Sequence, residues 1–253
     1  MNPKKLLKKT IKNIYQYFIV IKDYLIFSKL NNPLDKRFKG KWKDRLICTE
    51  EKNSFSSYDK HYVYHTAWAA RILEKIKPDF HTDISSSIYF VAITSAFIPI
   101  KFYDYRPPNL ILDNLEIDKV DLMQLPFEDS SIFSLSCLHV LEHVGLGRYG
   151  ETIDPLGDLK AINELKRVIK ENGNLLIVLP IGKSRISFNA HRIYSYDQVL
   201  SYFKEFELSE FALITSNSEN GKYIINPDLG LNLIESLDYG CGCFWFRKNQ
   251  QIL

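Results

Sequence analysis

Residues 79–105 read DFHTDISSSIYFVAITSAFIPIKFYDY, and the order of patterns inside this stretch decides the fold. Phe80 to Ile84 is a short strand candidate. Thr82-Asp83-Ile84-Ser85-Ser86-Ser87 then turns the chain with small polar residues. Ile88 to Phe97 reads as a helix stopped near Pro99. Ile100 to Tyr105 is a second strand, broken by Pro107-Pro108. Strand, turn, helix and strand in this order make a βαβ unit, whose two strands lie parallel with the helix on one face.

Working outward, the alternation continues. Ile117 to Leu122 and Ile132 to Leu138 read as strands, the second with buried character. Leu156 to Lys170 is an amphipathic helix, with Asn172-Gly173 as its expected C-cap. Leu175 to Leu179 is a continuous apolar strand stopped by Pro180. Ser195 to Phe203 is a helix, and Leu208 to Thr215 and Gly242 to Arg247 are the last strands. Upstream, His61 to Ile76 carries Tyr64, Trp68, Ile72 and Ile76 at helical spacing and ends before Pro78. The expectation is an α/β, Rossmann-like, doubly wound fold. Its mostly parallel seven-stranded sheet would carry an antiparallel C-terminal edge hairpin and be preceded by N-terminal helices. Such sheets bind ligands at the carboxyl ends of their strands.

The predicted domain covers residues 58–253. Residues 1–57 form a basic helical extension and a polar link containing Asn31-Asn32-Pro33 and Ser54 to Ser57. Lys4, Lys5, Lys8, Lys9 and Lys12 precede an apolar run from Ile14 to Phe27, interrupted by Lys22 and Asp23. The run is too short and too charged to span a bilayer, and no small-residue cleavage site follows. Residues 4–27 are read either as a peripheral membrane contact or as a helix packed on the domain or a partner. A net charge of +3 gives no case for nucleic acid. Cys48, Cys137, Cys241 and Cys243 read as reduced thiols in a cytoplasmic protein. The Cys241-Gly242-Cys243 pair has no second pair at zinc spacing, so no metal is expected.

Four segments carry chemistry, each at a strand end. The serine turn with Asp83, Ser85, Ser86 and Ser87 opens a helix, where backbone N–H groups can approach a ligand. A plain serine cap is the bland alternative. Asp104 follows Asp83 by 21 residues (104 − 83), the place of a ribose-binding carboxylate. Asp121 could reach an adenine amine, with Leu122 and Met123 against the ring. His139-Val140-Leu141-Glu142-His143 follows the fourth strand and supplies candidate bases, since imidazole titrates near neutrality. His139 to His143 also matches the inverted zinc-hydrolase string H-x-x-E-H. That string needs a helix and a third ligand, and neither is evident.

Taken together, Asp83-x-Ser85-Ser86, Asp104, Asp121-x-x-x-Leu125-Pro126-Phe127, His139-Val-Leu-Glu-His143 and Glu164-Leu-Lys-Arg-Val-Ile-Lys-x-x-Gly173 resemble class I S-adenosylmethionine-dependent methyltransferases. Glu142 to Gly150 and Phe188-Asn189-Ala190-His191-Arg192 resemble a bacterial branch long labelled a domain of unknown function and linked with surface-polysaccharide genes. The resemblance implies S-adenosylmethionine as cofactor. Asp83 and Ser85 to Ser87 would line its methionine end, Asp104 the ribose, Asp121 and Leu122 the adenine, and His139 the sulfonium. His139, His143 or His191 would act as base. Arg148, Tyr149, Asn189, His191 and Arg192 would face the acceptor. The implied reaction is O-methylation of a sugar, nucleotide sugar, glycan or other small hydroxylated molecule in the cytoplasm, at or near the inner membrane. A non-catalytic nucleotide- or partner-binding module is the rival reading, motivated by serines standing where glycines are usual.

Overall fold

The computed structural model describes residues 3–30, 41–49, 58–215, 224–225 and 237–249. The chain forms two compact units, Met1–Tyr58 and Asp59–Leu253. The link residues Asn31-Asn32-Pro33 and Ser54 to Ser57 lie outside the described residues.

In the first unit, α1 (Pro3–Leu30) runs unbroken through the basic and apolar segments. Leu7, Ile11, Ile14, Phe18, Leu25 and Phe27 are exposed on it. Among the described residues no helix is long and apolar enough to cross a membrane. Trp42 packs its ring against Tyr17 and Tyr24, and the Arg45 guanidinium lies 4.6 Å over the Trp42 ring.

The second unit contains α2 (Lys60–Ile76), β1 (His81–Ile84), α3 (Ile88–Thr94), β2 (Ile100–Asp104), β3 (Leu115–Lys119) and β4 (Ile132–Leu138). There follow α4 (Gly157–Val168), β5 (Ile169–Ile181), β6 (Arg185–Ser187), β7 (His191–Ile193), α5 (Tyr196–Tyr202), β8 (Phe206–Thr215), β9 (Ile224–Ile225) and β10 (Gly240–Lys248). The sheet order is β3-β2-β1-β4-β5-β10-β8-β9. β1 to β5 are parallel, and β10 is antiparallel to both β5 and β8. This is the doubly wound Rossmann-like sheet, with the C-terminal strands antiparallel to one another and a two-residue β9 added at the edge.

Alternation along β5 builds a core on each face. Leu175, Ile177, Leu179 and Ile181 point to one face, which α4 covers with Ala161, Ile162, Leu165 and Val168, and α5 with Val199. Leu176 and Val178 point to the other, covered by α2 with Trp68, Ala69, Ile72 and Leu73 and by α3 with Phe90 and Val91. β10 divides likewise: Phe244 and Phe246 join the first face, Cys241 and Cys243 the second. Full burial of each such aliphatic side chain is worth about 1.5–3 kcal/mol. Two cores also mean that α2 and Cys241 must share a side of the sheet. Trp68 Nε1 and Lys75 Nζ both donate to Glu210 on β8, at 2.8 and 2.9 Å, and pin α2 across the strands.

Three local expectations are corrected. Asn172-Gly173 does not cap α4: the helix ends at Val168, and Ile169 is already extended (φ −70°, ψ 126°) and paired with Ile132. The free carbonyls of Arg167 and Val168 accept from Ser130 N and Ser131 N instead. Asn172 (φ 58°) lies inside an irregularity where five steps of β5 (174 − 169) face two of β4 (134 − 132). Pro180 does not stop β5 either. It lies beyond the last β4 pairing, Leu138 with Val178, where that side of the ladder needs no donor, and its carbonyl accepts from Tyr194 N. Finally, the third strand starts earlier than expected, at Leu115, and leaves Val120 to Leu122 in the turn after it.

Candidate functional site

The carboxyl ends of β1, β2 and β4 and the turn after β3 open on one cavity of about 230 Å³. Ser85, Asp104, Asp121, Leu122, Met123, His139, His143, Tyr149 and Glu151 are among its lining residues. Thus Asp104, Asp121, Leu122, His139 and Tyr149, drawn from four separate segments of the sequence, meet at one opening.

The serine turn works differently from its expected role. Ser85 (φ 57°) lines the cavity and donates its N–H to Tyr103 O. Ser87 is the N-cap of α3, and Ser86 Oγ accepts from Leu138 N at 3.0 Å. Asp83 is fully buried. It accepts from Ser86 N at 3.0 Å and from the Ser136 hydroxyl. Ser136 Oγ in turn lies 2.8 Å from His81 Nε2, and Ser134 Oγ lies 2.7 Å from His81 Nδ1. Asp83, Ser86 and Ser87 therefore build the turn from beneath rather than line the cavity. Burial pushes the Asp83 carboxyl up to about 7 against the bonds from Ser136 and Ser86, and burial pushes the His81 imidazole down to about 3.

Asp104 and Asp121 each turn one oxygen to their own loop. Asp104 Oδ1 accepts from Arg106 N at 2.6 Å and Asp121 Oδ1 from Met123 N at 2.8 Å. The loop below Asp121 is clasped by α4. Glu164 accepts from Leu125 N, and Arg167 donates to Leu125 O, Phe127 O, Asp129 and Glu164. The Leu-Pro-Phe and Glu-Leu-Lys-Arg strings are the two halves of this clasp.

His139 sits directly after β4 in the left-handed region (φ 59°). Its N–H donates to Val178 O, Nδ1 lies 2.7 Å from Glu142 Oε1, and Nε2 lies 3.3 Å from Cys241 Sγ. The Tyr62 and His61 rings stack on it at 5.7 and 6.0 Å, and His65 meets it edge-on at 5.0 Å. Burial disfavours the imidazolium, yet Cys241 and the Glu142 carboxylate beside it hold His139 well above the usual imidazole range. His143, in the short 3-10 turn Leu141–His143, places Nδ1 2.7 Å from Ala190 O. Nδ1 is then the protonated nitrogen, and Nε2 keeps its lone pair. Burial lowers His143 below its ordinary value, against Glu142, whose Oε1 is 3.7 Å away. His139 and His143 therefore aim at different partners, and the turn between them is not a helix presenting H-x-x-E-H on one face.

Gly145 fixes the loop that follows. It has φ +78°, and a Cβ there would meet Asp154 O at 2.1 Å. Glu151 holds the next turn by accepting from Gly147 N and Tyr149 N, both at 2.8 Å. Arg148 donates to Ala190 O and lies over the Tyr149 ring. His191 reaches the same cluster through ring contacts with His143 and Tyr239. Asn189 is exposed in the turn between β6 and β7. Arg192 requires correction: it is buried and donates to Val144 O at 2.7 Å and Pro155 O at 3.3 Å, with Asp158 3.5 Å from its Nε. It ties β7 to the loop and does not face the cavity.

His61, Tyr62, His65 and Tyr239 escaped the sequence reading, Glu142 was read only as part of the His139 to His143 string, and Cys241 only as a reduced thiol. The spacing of His61 and His65, one helical turn apart, was the available signal. Cys241 comes from a strand 102 residues beyond His139.

The sheet order and flanking helices define a domain of the Rossmann-like class I methyltransferase fold. Residues 116–226 match the family described as "Caenorhabditis protein of unknown function, DUF268". The uncharacterized protein MJ0638 of Methanocaldococcus jannaschii is 34% identical over 101 residues, 39% of this chain and 38% of that protein. The match thus spans about two fifths of the relative's length. Among solved structures, the chain is similar to one in the complex of the Haloferax volcanii Trm112 methyltransferase activator with a methyltransferase, at a TM-score of 0.52 and 14% identity, covering 77% of this chain and 92% of that one. It is also similar to Burkholderia thailandensis 1,6-didemethyltoxoflavin-N1-methyltransferase, solved with S-adenosylhomocysteine, at 0.51 and 9%, covering 74% and 79%. At such identities the likeness is one of fold.

Proposed function

We propose that the chain is an S-adenosylmethionine-dependent methyltransferase that O-methylates a small hydroxylated acceptor. A sugar or sugar nucleotide of surface-polysaccharide biosynthesis is the acceptor class that the sequence resemblance favours. One observation carries the reading. Two carboxylates, Asp104 at the end of β2 and Asp121 in the turn after the neighbouring β3, line the same cavity as the imidazoles that follow β4. A nucleoside with a cationic tail suits that lining. Asp104 Oδ2 and Asp121 Oδ2 remain to accept from hydroxyls or an amine, Leu122 and Met123 offer apolar surface to a flat ring, and the His and Tyr rings suit a sulfonium. The similar toxoflavin-precursor methyltransferase, solved with S-adenosylhomocysteine, supports the same cofactor.

When bound, the cofactor supplies an electrophilic methyl group. The chain's residues hold the acceptor in line and remove its proton. His143 is the base: neutral at neutral pH, with Nδ1 fixed on Ala190 O and Nε2 bearing the lone pair. Tyr149 and Arg148, on the loop beside it, bound the acceptor side. The enzyme works in the cytoplasm, and the basic composition of residues 4–27 suits an inner-membrane surface. Calorimetry with S-adenosylmethionine, followed by transfer of labelled methyl to hydroxylated sugars, tests the reading. No binding at millimolar cofactor refutes it. Binding without transfer to any acceptor favours the non-catalytic module.

A further inference from the structure

We propose that His61, His139 and Cys241 form a binding site for a divalent transition-metal ion of the zinc class, at the edge of the cavity. One ligand atom from each residue lies within 4.8 Å of the other two. His139 Nε2 and Cys241 Sγ are already 3.3 Å apart. Two ligands on one tetrahedral zinc, with Zn–N about 2.0–2.1 Å and Zn–S about 2.3 Å, stand roughly 3.5 Å apart. The pair thus has the spacing of shared coordination.

Three independent features fit this reading. The first is the orientation of His139. Nδ1 faces Glu142 Oε1 at 2.7 Å, so a metal that displaces the Nε2 proton finds the remaining proton on Nδ1 and the Nε2 lone pair toward Cys241. A carboxylate behind a histidine is the usual outer partner of a metal-bound imidazole. The second is His65. It is fully buried and packs edge-on against the His139 ring, holding that ring in place beside Cys241. The third is topology. α2 carries His61 and His65 one turn apart on the sheet face that also bears Cys241. Three elements remote in sequence converge at the carboxyl end of the sheet.

Imidazole and thiolate donors select zinc, cobalt or iron over magnesium and calcium. Binding ionises Cys241 and displaces the Nε2 proton of His139, and both protons pass to solvent. Three protein ligands leave a fourth position, as catalytic rather than structural zinc sites do. His139 lines the cavity, so an acceptor hydroxyl or thiol bound there could occupy that position. The site does not depend on the methyltransferase reading, because its test reads metal and not methyl transfer.

The full chain, stripped with chelator, is titrated with Co²⁺ alone and then with Zn²⁺ in competition. We expect one equivalent of Co²⁺, with tetrahedral d–d bands and a near-ultraviolet thiolate-to-cobalt band. In Cys241→Ser the thiolate band disappears, and Zn²⁺ affinity falls by at least roughly a hundredfold. His61→Ala weakens Zn²⁺ by at least about tenfold, and Glu142→Gln by about tenfold to a hundredfold. Cys137→Ala, on the opposite face of the sheet, changes neither spectrum nor affinity. The absence of a thiolate band in the wild-type chain overturns the proposal without any variant having to fold. A band that persists in Cys241→Ser also overturns it.

Discussion

His139 Nδ1 and Glu142 Oε1 stand 2.7 Å apart, a contact closed within a single turn of chain at the end of β4. It fixes which face of the imidazole meets the cavity and which meets Cys241. Glu142 Oε2, buried with no partner, shows that this carboxyl is placed for its histidine and not for solvent. Glu142→Gln keeps the shape of the side chain but removes its charge. We expect turnover to fall by about tenfold to a hundredfold, with cofactor affinity changed less than threefold or so. Steady-state methyl transfer alongside calorimetry measures both. Equal losses in the two would mean that Glu142 merely holds the fold.

His143→Ala should lower turnover by about 10²–10⁴-fold while leaving cofactor binding intact, as removal of a general base does. The same assays check it. A variant with unchanged turnover would move the role of base to His191, its neighbour across the ring contact.

Asp83 predicts how stability depends on pH. Unfolded, its carboxyl titrates near 3.8; folded, burial holds it at about 7. The folded state therefore keeps a proton that the unfolded chain has lost. The stability from Asp83 is complete below pH 4 and is lost as pH rises to about 7. His81 acts oppositely. Its folded value near 3 lies below the ordinary 6.5, so its contribution is present above pH 6.5 and is lost on acidification. Between pH 5 and pH 8 the two contributions oppose, with about 2–3 kcal/mol lost through Asp83 and about 2 kcal/mol gained through His81, so wild-type stability by denaturant unfolding should differ little between these pH values. Asp83→Asn removes the first contribution and should leave the variant about 2 kcal/mol more stable at pH 8 than at pH 5. A pH slope unchanged from wild type would exclude Asp83 as a contributor.

Arg192→Ala should cost about 2–4 kcal/mol of unfolding free energy, because Val144 O, Pro155 O and Asp158 lose their buried donor. Cofactor affinity should stay within a factor of about three. A stable variant with selectively raised acceptor KM would restore Arg192 to the acceptor site.

The order of strands and helices was legible because each element carries its own period. The continuous apolar run from Leu175 to Leu179 and the helical spacing from Tyr64 to Ile76 both survive in the structure. Asp104, Asp121 and His139 were legible because doubly wound sheets bring strand ends together. What was not legible depends on contacts between distant residues. Asn172-Gly173 looks like a helix cap in isolation, but β4 pairs with Ile169 and draws that segment into the sheet. Arg192 looks like a ligand donor until the carbonyls of Val144 and Pro155 are seen around it. Cys241 lies on a β-strand far from every motif, and only the antiparallel insertion of β10 beside β5 brings it to His139.

The proposed function places the cofactor's ribose on Asp104 in the cavity. Calorimetry with S-adenosylhomocysteine on the wild-type chain and on Asp104→Ala measures that role directly. We expect wild-type binding at one site and a loss of at least about tenfold, or about 1.4 kcal/mol, in the variant. Equal affinity in the two proteins would contradict the placement of the cofactor, and with it the assignment of the cavity.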